Sequence, residues 1–336
     1  MREVLIDAYT CGQRLDRFLL KYLNRAPKSL VQKMIRKRNV KLNDSKAAGN
    51  EMLQDGDVVR IFLSDAALAD LTAGKPSYYS AGELDIIYED DNILIVNKPP
   101  GVLSQPDSAD VRDSIVDRAA SYLREGGYEY SSDDHPMKPK PGFVGAPAVV
   151  NRLDRNTSGV VALGKTNAAL AWMNRAIAEN RCEKLYLTLV VGEVRESFEV
   201  RVYLRKNSHK IAVISEQTID GAKYAATSFE PLASALGCTL LRARLETGRF
   251  HQIRASLKYA GFPVVGDTKY GEPRANVDFQ RRFGVTSQLL HCESLTFTQT
   301  DGALGYLAGK RFEAPPPQVF QKVMEEFGLV ELKRGR

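Results

Sequence analysis

Residues Gly159–Thr166 read GVVALGKT and match the phosphate-loop pattern G-x-x-x-x-G-K-[ST] letter for letter. If that match is physical, the chain is a nucleotide-binding α/β protein, so the octet constrains the fold more than any other stretch. A phosphate loop needs a buried strand, a flexible Gly-rich turn and a helix opening near the lysine. The four residues inside the pattern are Val160, Val161, Ala162 and Leu163. They suit a buried strand better than a loop that turns its N–H groups toward a ligand. The preceding NRLDRNTS is polar and charged apart from Leu153, and no convincing magnesium-binding acid ends an apolar strand. The spacing therefore predicts a turn over Asp154–Gly159 and a strand over Val160–Leu163. A helix through Ala168–Ala178 follows, capped by Thr166 or Asn167. Asp154 is left on a loop entering a strand, between Arg152 and Arg155. A structural ion pair and a catalytic carboxylate both fit that pattern.

The chain's 336 residues are enough for two or three domains with a substantial core, and 43% apolar with 26% charged residues is a globular composition. No stretch approaches the roughly 18 apolar residues of a membrane span, so no membrane partner is expected. MREVLIDAYT has no long apolar run and does not read as a signal peptide. Four cysteines and four histidines are scattered, with no C-x-x-C, so no metal site and a reducing cytoplasmic location are expected.

Charge is informative because it is uneven. The whole chain is +6, and residues 1–63 hold 13 basic against 7 acidic residues, so the remainder is balanced. A surplus confined to one small unit points to a polyanion, nucleic acid before membrane. Leu15, Phe18, Leu19, Tyr22 and Leu23 recur at helical spacing. Ser29 with Gln32 three residues on predicts a capping-box start to a second helix through Leu30, Val31, Met34 and Ile35. Lys33, Arg36, Lys37 and Arg38 fall mostly off its apolar stripe and are candidate phosphate contacts. A solvated helix face is the bland alternative. Strand-like pieces follow at Val40–Leu42 and Asp57–Leu63. Most of residues 12–63, including R-L-D-x-F-L, resembles the S4 RNA-binding domain.

Residues 64–82 read as a linker, and Leu84–Tyr88 with Ile93–Asn97 as a hairpin closed by EDDN. KPPG at Lys98–Gly101 forces a turn, and residues 126–147 read as a long surface loop. The stretch LETGRFHQIRASLKYAGFPVVGDTKYG, Leu245–Gly271, predicts a helix opening near His251, with Ile253 and Leu257 buried and Gly261 closing it. Arg249, His251 and Arg254 then cluster at its N-terminal end, where N–H groups and basic side chains suit anions. A solvated helix start is again the bland reading. Gly266-Asp267 and Tyr270-Gly271 add a turn of unclear purpose.

In these segments the chain resembles the RluA-type pseudouridine synthases. NRLDRNTSG looks like their R-L-D-x-x-T-S-G signature, and EDDNILIVNKPPGV, Glu89–Val102, like their first motif. KLYLTLVVG, Lys184–Gly192, resembles the second motif, and LETGRFHQIR with GFPVVGDTKYG the third. LLHCESLTF and FEAPPP match closing segments, so the order holds across roughly residues 84–317. The resemblance implies an α+β protein. A small S4-like α/β RNA-binding domain (1–63) and a linker (64–82) precede a pseudouridine-synthase catalytic domain (83–328), with a basic tail at 329–336. The catalytic domain is expected to carry a mixed, mainly antiparallel sheet flanked by helices.

The implied reaction breaks the N1–C1′ bond of a uridine in RNA, turns the uracil and rejoins C1′ to C5. Asp154 matches the family's catalytic aspartate. A carboxylate can stabilise or attack charge at C1′, or remove a sugar proton, and the sequence leaves these open. Arg254 matches the arginine paired with it; a guanidinium favours the ionised form and fixes its orientation. Tyr186 matches the tyrosine that stacks on the base, and a plain strand-core role is the alternative. The base must leave its stack to reach the carboxylate. Arg152 matches the residue that fills the gap it leaves, and Arg155 is a candidate phosphate contact. Asn151 stands where the family most often has His, and Ser256 where it often has His or another polar residue. Substrate and product are isomers, so no cofactor, metal or nucleotide is expected. The expected partner is RNA, of ribosomal large-subunit type, bound by a monomeric chain. A non-catalytic RNA-binding or assembly factor on the same fold is the rival, and it would tolerate loss of Asp154.

Overall fold

The computed structural model describes residues 1–6, 11–23, 25–72, 82–107, 113–125, 143–299 and 302–328. The N-terminal unit holds β1 (Arg2–Leu5), α1 (Leu15–Tyr22), α2 (Lys28–Arg36), β2 (Val40–Leu42), β3 (Ser45–Lys46) and β4 (Val58–Ile61), with sheet order β1-β4-β2-β3. Leu15, Leu19, Val31, Met34, Val40, Val59 and Ile61 close a core of its own. Lys33 and Arg36 on α2 and Lys37 and Arg38 just past its end are all exposed. The expected Ser29 cap does not form. Pro27, at φ −65 and ψ 149, is the cap, and its carbonyl accepts the Leu30 and Val31 N–H groups at 2.8 and 3.3 Å. Proline's fixed φ starts the helix before the serine can act, which leaves Ser29 inside the first turn.

The expected linker begins as a helix, α3 (Asp65–Thr72). Ser64 Oγ accepts the Ala67 N–H at 3.2 Å, and Leu68 and Leu71 pack against the N-terminal core. Alanine, which read as linker composition, and leucine are strong helix formers once capped. Residues 73–81 lie outside the described residues, as does the tail at 329–336.

The second unit follows as β5 (Ile86–Glu89), β6 (Ile93–Lys98), α4 (Ile115–Glu125), β7 (Phe143–Val149), β8 (Ser158–Thr166), α5 (Asn167–Ala178), β9 (Cys182–Val191), β10 (Phe198–Lys206), β11 (Ala212–Ser215), β12 (Lys223–Ala235), β13 (Cys238–Leu245), α6 (Gln252–Tyr259), α7 (Pro273–Phe283), β14 (Leu290–Phe297), β15 (Arg311–Glu313) and α8 (Gln318–Glu326). Among the described residues these strands form one 11-stranded sheet, ordered β11-β10-β12-β13-β9-β14-β8-β6-β5, with β7 on β8 and β15 on β14. Every named strand pairing in it is antiparallel except β8 with β14. The two meet in a short parallel junction, His291 opposite Ser158 and Cys292 opposite Gly159. Gly159 sits at φ +112, and a Cβ there would stand 2.1 Å from the Cys292 carbonyl oxygen, so no side chain fits. The hairpin of β5 and β6 forms as expected. Part of the expected loop does not: Phe143–Val149 adds a strand to β8, with an irregular register between Phe143 and Ala148. Pairing with a fully buried neighbour outweighs the Gly and Pro turn signals there, while residues 126–142 lie outside the described residues. No helix among the described residues is long and apolar enough to cross a membrane.

The phosphate-loop octet is strand throughout. Ala162 N–H is taken by Asn151 Oδ1 at 2.8 Å and Lys165 N–H by the Asn92 carbonyl at 2.8 Å, while β6 pairs along the rest. Lys165 is buried, its ammonium bonded to Glu89 Oε1 and the Asp90 carbonyl, both at 2.7 Å. Lys165→Met is expected to cost about 1–3 kcal/mol of stability, because the half-buried Glu89 carboxylate and the Asp90 carbonyl lose a buried charged donor. The turnover of the folded fraction should stay unchanged. A chemical-denaturation curve beside a single-turnover assay checks both, and neither is expected to respond to ATP.

Candidate active site

Asp154 projects from the loop between β7 and β8, and four contacts pin that loop. Asn151 clips it to β8, accepting from Ala162 N–H and donating to the Val160 carbonyl at 2.9 Å. Ser104 Oγ accepts the Leu153 N–H at 3.0 Å and donates to the Leu153 carbonyl at 3.1 Å. On the other side of Asp154, the Arg155 carbonyl accepts from Gly101 N–H at 3.0 Å and from Lys98 Nζ at 2.8 Å. Lys98 is fully buried and also donates to the Pro99 and Val102 carbonyls at 2.9 and 2.6 Å. Burial pulls this lysine down to about 7 against the attraction of Asp154. The three carbonyls offer each N–H of the ammonium a partner, which neither arginine nor an apolar side chain could reproduce in that space. Lys98→Met leaves all three carbonyls without that donor and is expected to cost about 3–5 kcal/mol. A denaturant midpoint far below that of the wild type is the check.

Arg254 enters from α6. Its Nε and Nη2 donate to Asp267 Oδ2 and Oδ1 at 2.6 and 2.8 Å, a fork-on-carboxylate pair, and the remaining Nη1 donates to Asp154 Oδ2 at 2.9 Å. Burial works against the guanidinium's charge, but Asp267 and then Asp154 outweigh it and hold its pKa above the ordinary value. Asp267 is itself fixed by Lys269 and Tyr270 N–H groups donating to Oδ1 at 2.8 and 3.1 Å. The turn at Gly266–Gly271 thus has a purpose: it presents the carboxylate that aims Arg254.

Tyr186 lies on β9, with Ala243 and Cys292 opposite it on the flanking strands, and its side chain is buried. Its hydroxyl and the Cys292 thiol are hydrogen-bond partners, and burial holds the phenol well above its ordinary value. Asp154, Arg254 and Tyr186 all line one cavity of about 880 Å³, together with Leu153, Ile253 and Leu290. Arg152 and Arg155 are exposed at its edge, and Lys184, Lys206, Lys210 and Arg249 add positive charge to the wall. Arg249 is tied to the sheet by Nε donating to the Tyr224 carbonyl at 2.9 Å.

His251 is not the solvated helix start of the bland reading. It is buried, caps α6 in a left-handed conformation (φ 53) without a side-chain cap bond, and puts Nδ1 2.9 Å from the Tyr270 hydroxyl. Of the two departures noted in the sequence, Asn151 is a structural clip. Ser256 is buried, with an Oγ that makes no hydrogen bond among the described residues. Lys98, Ser104, Asp267 and Tyr270 are the site residues that sequence reasoning missed. Only the Lys98-Pro-Pro and Gly266-Asp267 turns hinted at them. Among the described residues no group of three or more His, Cys, Asp or Glu is placed to hold a metal ion.

Residues 92–259 match the family model for RNA pseudouridylate synthase. The chain is 31% identical over 297 residues to the ribosomal large subunit pseudouridine synthase C of Vibrio vulnificus, covering 87% of each chain. It is 30% identical over 338 residues to the protein of that name from Escherichia coli K12, covering 97% of this chain and 96% of the relative. The solved structure of human RNA Pseudouridylate Synthase Domain Containing 4 overlays with a TM-score of 0.55 at 19% identity, covering 73% of this chain and 93% of that one, a likeness of fold. The mixed sheet, the motif-bearing loops and relatives aligned over most of their length agree, and the chain belongs to the RNA pseudouridylate synthase family of isomerases.

Proposed function

We propose that this chain converts specific uridines of large-subunit ribosomal RNA to pseudouridine, with Asp154 as the reacting carboxylate. The observation that carries the reading is the chain Asp267–Arg254–Asp154 at the wall of a basic-edged cavity that also holds Tyr186. Two bonds donated to Asp267 occupy Nε and Nη2 of Arg254, and Nη1 is left to meet Asp154 Oδ2. One oxygen of the carboxylate is thereby fixed by a charged donor, while the other stays available toward C1′. The N1–C1′ bond breaks, uracil turns against the Tyr186 ring, C5 joins C1′, and the C5 proton is lost as the freed N1 takes one up. An aromatic face holds a base without fixing its rotation, which suits the turn. Atoms balance without a redox partner, so the reaction needs no cofactor.

The N-terminal unit, residues 1–63, is read as an S4-like RNA-binding domain. Lys33, Arg36, Lys37 and Arg38 serve as phosphate contacts on its exposed helix face, and residues 83–328 form the catalytic domain. Arg152 occupies the gap left by the extruded base, and Arg155 and Arg249 hold flanking phosphates. The ribosomal substrate follows the names of the relatives, and a monomeric protein working in the cytoplasm fits it. The test is to incubate purified protein with ribosomal RNA from cells lacking it and to map pseudouridine chemically. New sites made by the wild type and absent with Asp154→Asn support the reading. Identical maps would leave an RNA-binding assembly factor.

A further inference from the structure

We infer that His251 is a catalytic hydrogen-bond donor, a neutral imidazole whose Nε2–H is aimed at uracil O2 of the target nucleotide. The inference rests on the reading of Asp154 given above and adds a residue to it. Three observations carry it. First, the Tyr270 hydroxyl oxygen accepts the Ala212 N–H at 2.6 Å and lies 2.9 Å from His251 Nδ1. With that oxygen already accepting, the hydroxyl hydrogen is left to donate, and among the described residues Nδ1 is its acceptor. The opposite tautomer would strand a hydroxyl hydrogen in a buried site. The proton of a neutral His251 therefore sits on Nε2.

Second, Nε2 lies 3.8 Å from Asp154 Oδ2, the oxygen that Arg254 already holds. That is beyond a hydrogen bond but beside the reacting carboxylate, on the wall of the cavity. Third, the ring is built to stay there. Its backbone is left-handed at φ 53, Phe250 stacks on it with centroids 3.7 Å apart, and Gln252 Oε1 fixes the turn by accepting the Arg249 N–H at 2.9 Å. A non-glycine residue is held in that conformation only by surroundings that require it. Burial also pulls this imidazole down to about 4, so it is uncharged at neutral pH and does not compete with Arg254 for Asp154.

The chemistry follows from position. As N1–C1′ breaks, electron density moves into the uracil, and O2 is the uracil oxygen nearest C1′. A fixed neutral N–H at that point gains strength as the charge grows, so it lowers the barrier rather than tightening ground-state binding. His251→Phe keeps a ring against Phe250 and removes the donor. It is expected to slow single-turnover isomerisation about 30-fold with RNA affinity held within about threefold. His251→Gln places an amide N–H near the position of Nε2 and should recover most of that loss. A substrate with 2-thiouridine at the target has a poor acceptor in place of O2. The wild type should slow on it as His251→Phe does on uridine, and the two changes together should cost little more than either.

His251→Phe turning over within about threefold of wild type, fully additive effects of the variant and 2-thiouridine, or a loss confined to RNA affinity would each overturn the inference. Should the Phe variant fail to fold, the imidazole nitrogen spectrum of histidine-labelled wild type decides. Protonated Nε2 with bare Nδ1 supports the inference, and the reverse tautomer overturns it. An active Asp154→Asn protein would instead remove the reading beneath it, so the two failures are distinguishable.

Discussion

Asp154→Asn is expected to slow pseudouridine formation at least about 10³-fold, roughly 4 kcal/mol of transition-state stabilisation, with RNA affinity within a small factor of wild type. The amide oxygen of asparagine can still accept from Arg254 Nη1, now 2.9 Å from Oδ2, and the loop stays clamped through Asn151, Ser104 and Lys98. Shape and the basic rim are therefore preserved while the carboxylate proposed to face C1′ is lost. Single-turnover kinetics on a defined RNA, beside a binding titration, separates the two quantities. A variant that loses affinity and rate in parallel would point to Asp154 as a structural ion pair, the bland alternative its two neighbouring arginines allowed.

Asp267→Ala is expected to have the larger effect on stability. Asp267 is fully buried and takes two of the bonds of Arg254. Its removal leaves a buried guanidinium with Asp154 as its one remaining carboxylate, at a cost of about 4 kcal/mol and on the order of 10 °C in Tm. Arg254, no longer forked, misplaces Asp154, and a displacement of even an ångström lowers the rate roughly 100-fold in what still folds. The acid limb carries a second signature. Burial alone would raise Asp267, but Arg254 outweighs it and holds the carboxyl below its ordinary value. A carboxyl lowered in the folded chain stabilises it above the unfolded carboxylate range, and that contribution is lost as pH falls through the folded value. Wild type should therefore lose stability more steeply than Asp267→Asn below about pH 4. Thermal melts across the acid range measure the difference. Parallel curves would mean that Asp267 titrates alike in both states.

What could be read beforehand divides by the range of the interaction. Strand Val160–Leu163, its helix and the hairpin before it were visible because periodicity and capping are local. Asp154, Arg254 and Tyr186 were named through motif resemblance, and they converge on one cavity. The helix α3, the Ser29 start and strand β7 were misread where a neighbour decided the outcome: Pro27 ahead of the serine, the N-terminal core beside Leu68 and Leu71, and β8 beside Phe143–Val149. Lys98 and Asp267 escaped for a related reason. Their partners, Arg155 and Arg254, are 57 and 13 residues away, and a lysine bonded to carbonyls leaves no pattern in composition.

The parallel junction of β8 with β14 has a consequence for how accurately the enzyme must be assembled. The carboxylate arrives from the β8 side, and the tyrosine and arginine arrive from the other. Backbone pairing across that line spans two residues, supplemented by Ser158 on His291 at 2.9 Å and Thr157 on Gln288 at 3.3 Å. Alignment of acid and aromatic ring is thus a tolerance problem solved at one narrow weld. A methyl group at Gly159 would prise that weld apart and detune chemistry several side chains away, in a protein whose reacting groups were all still present.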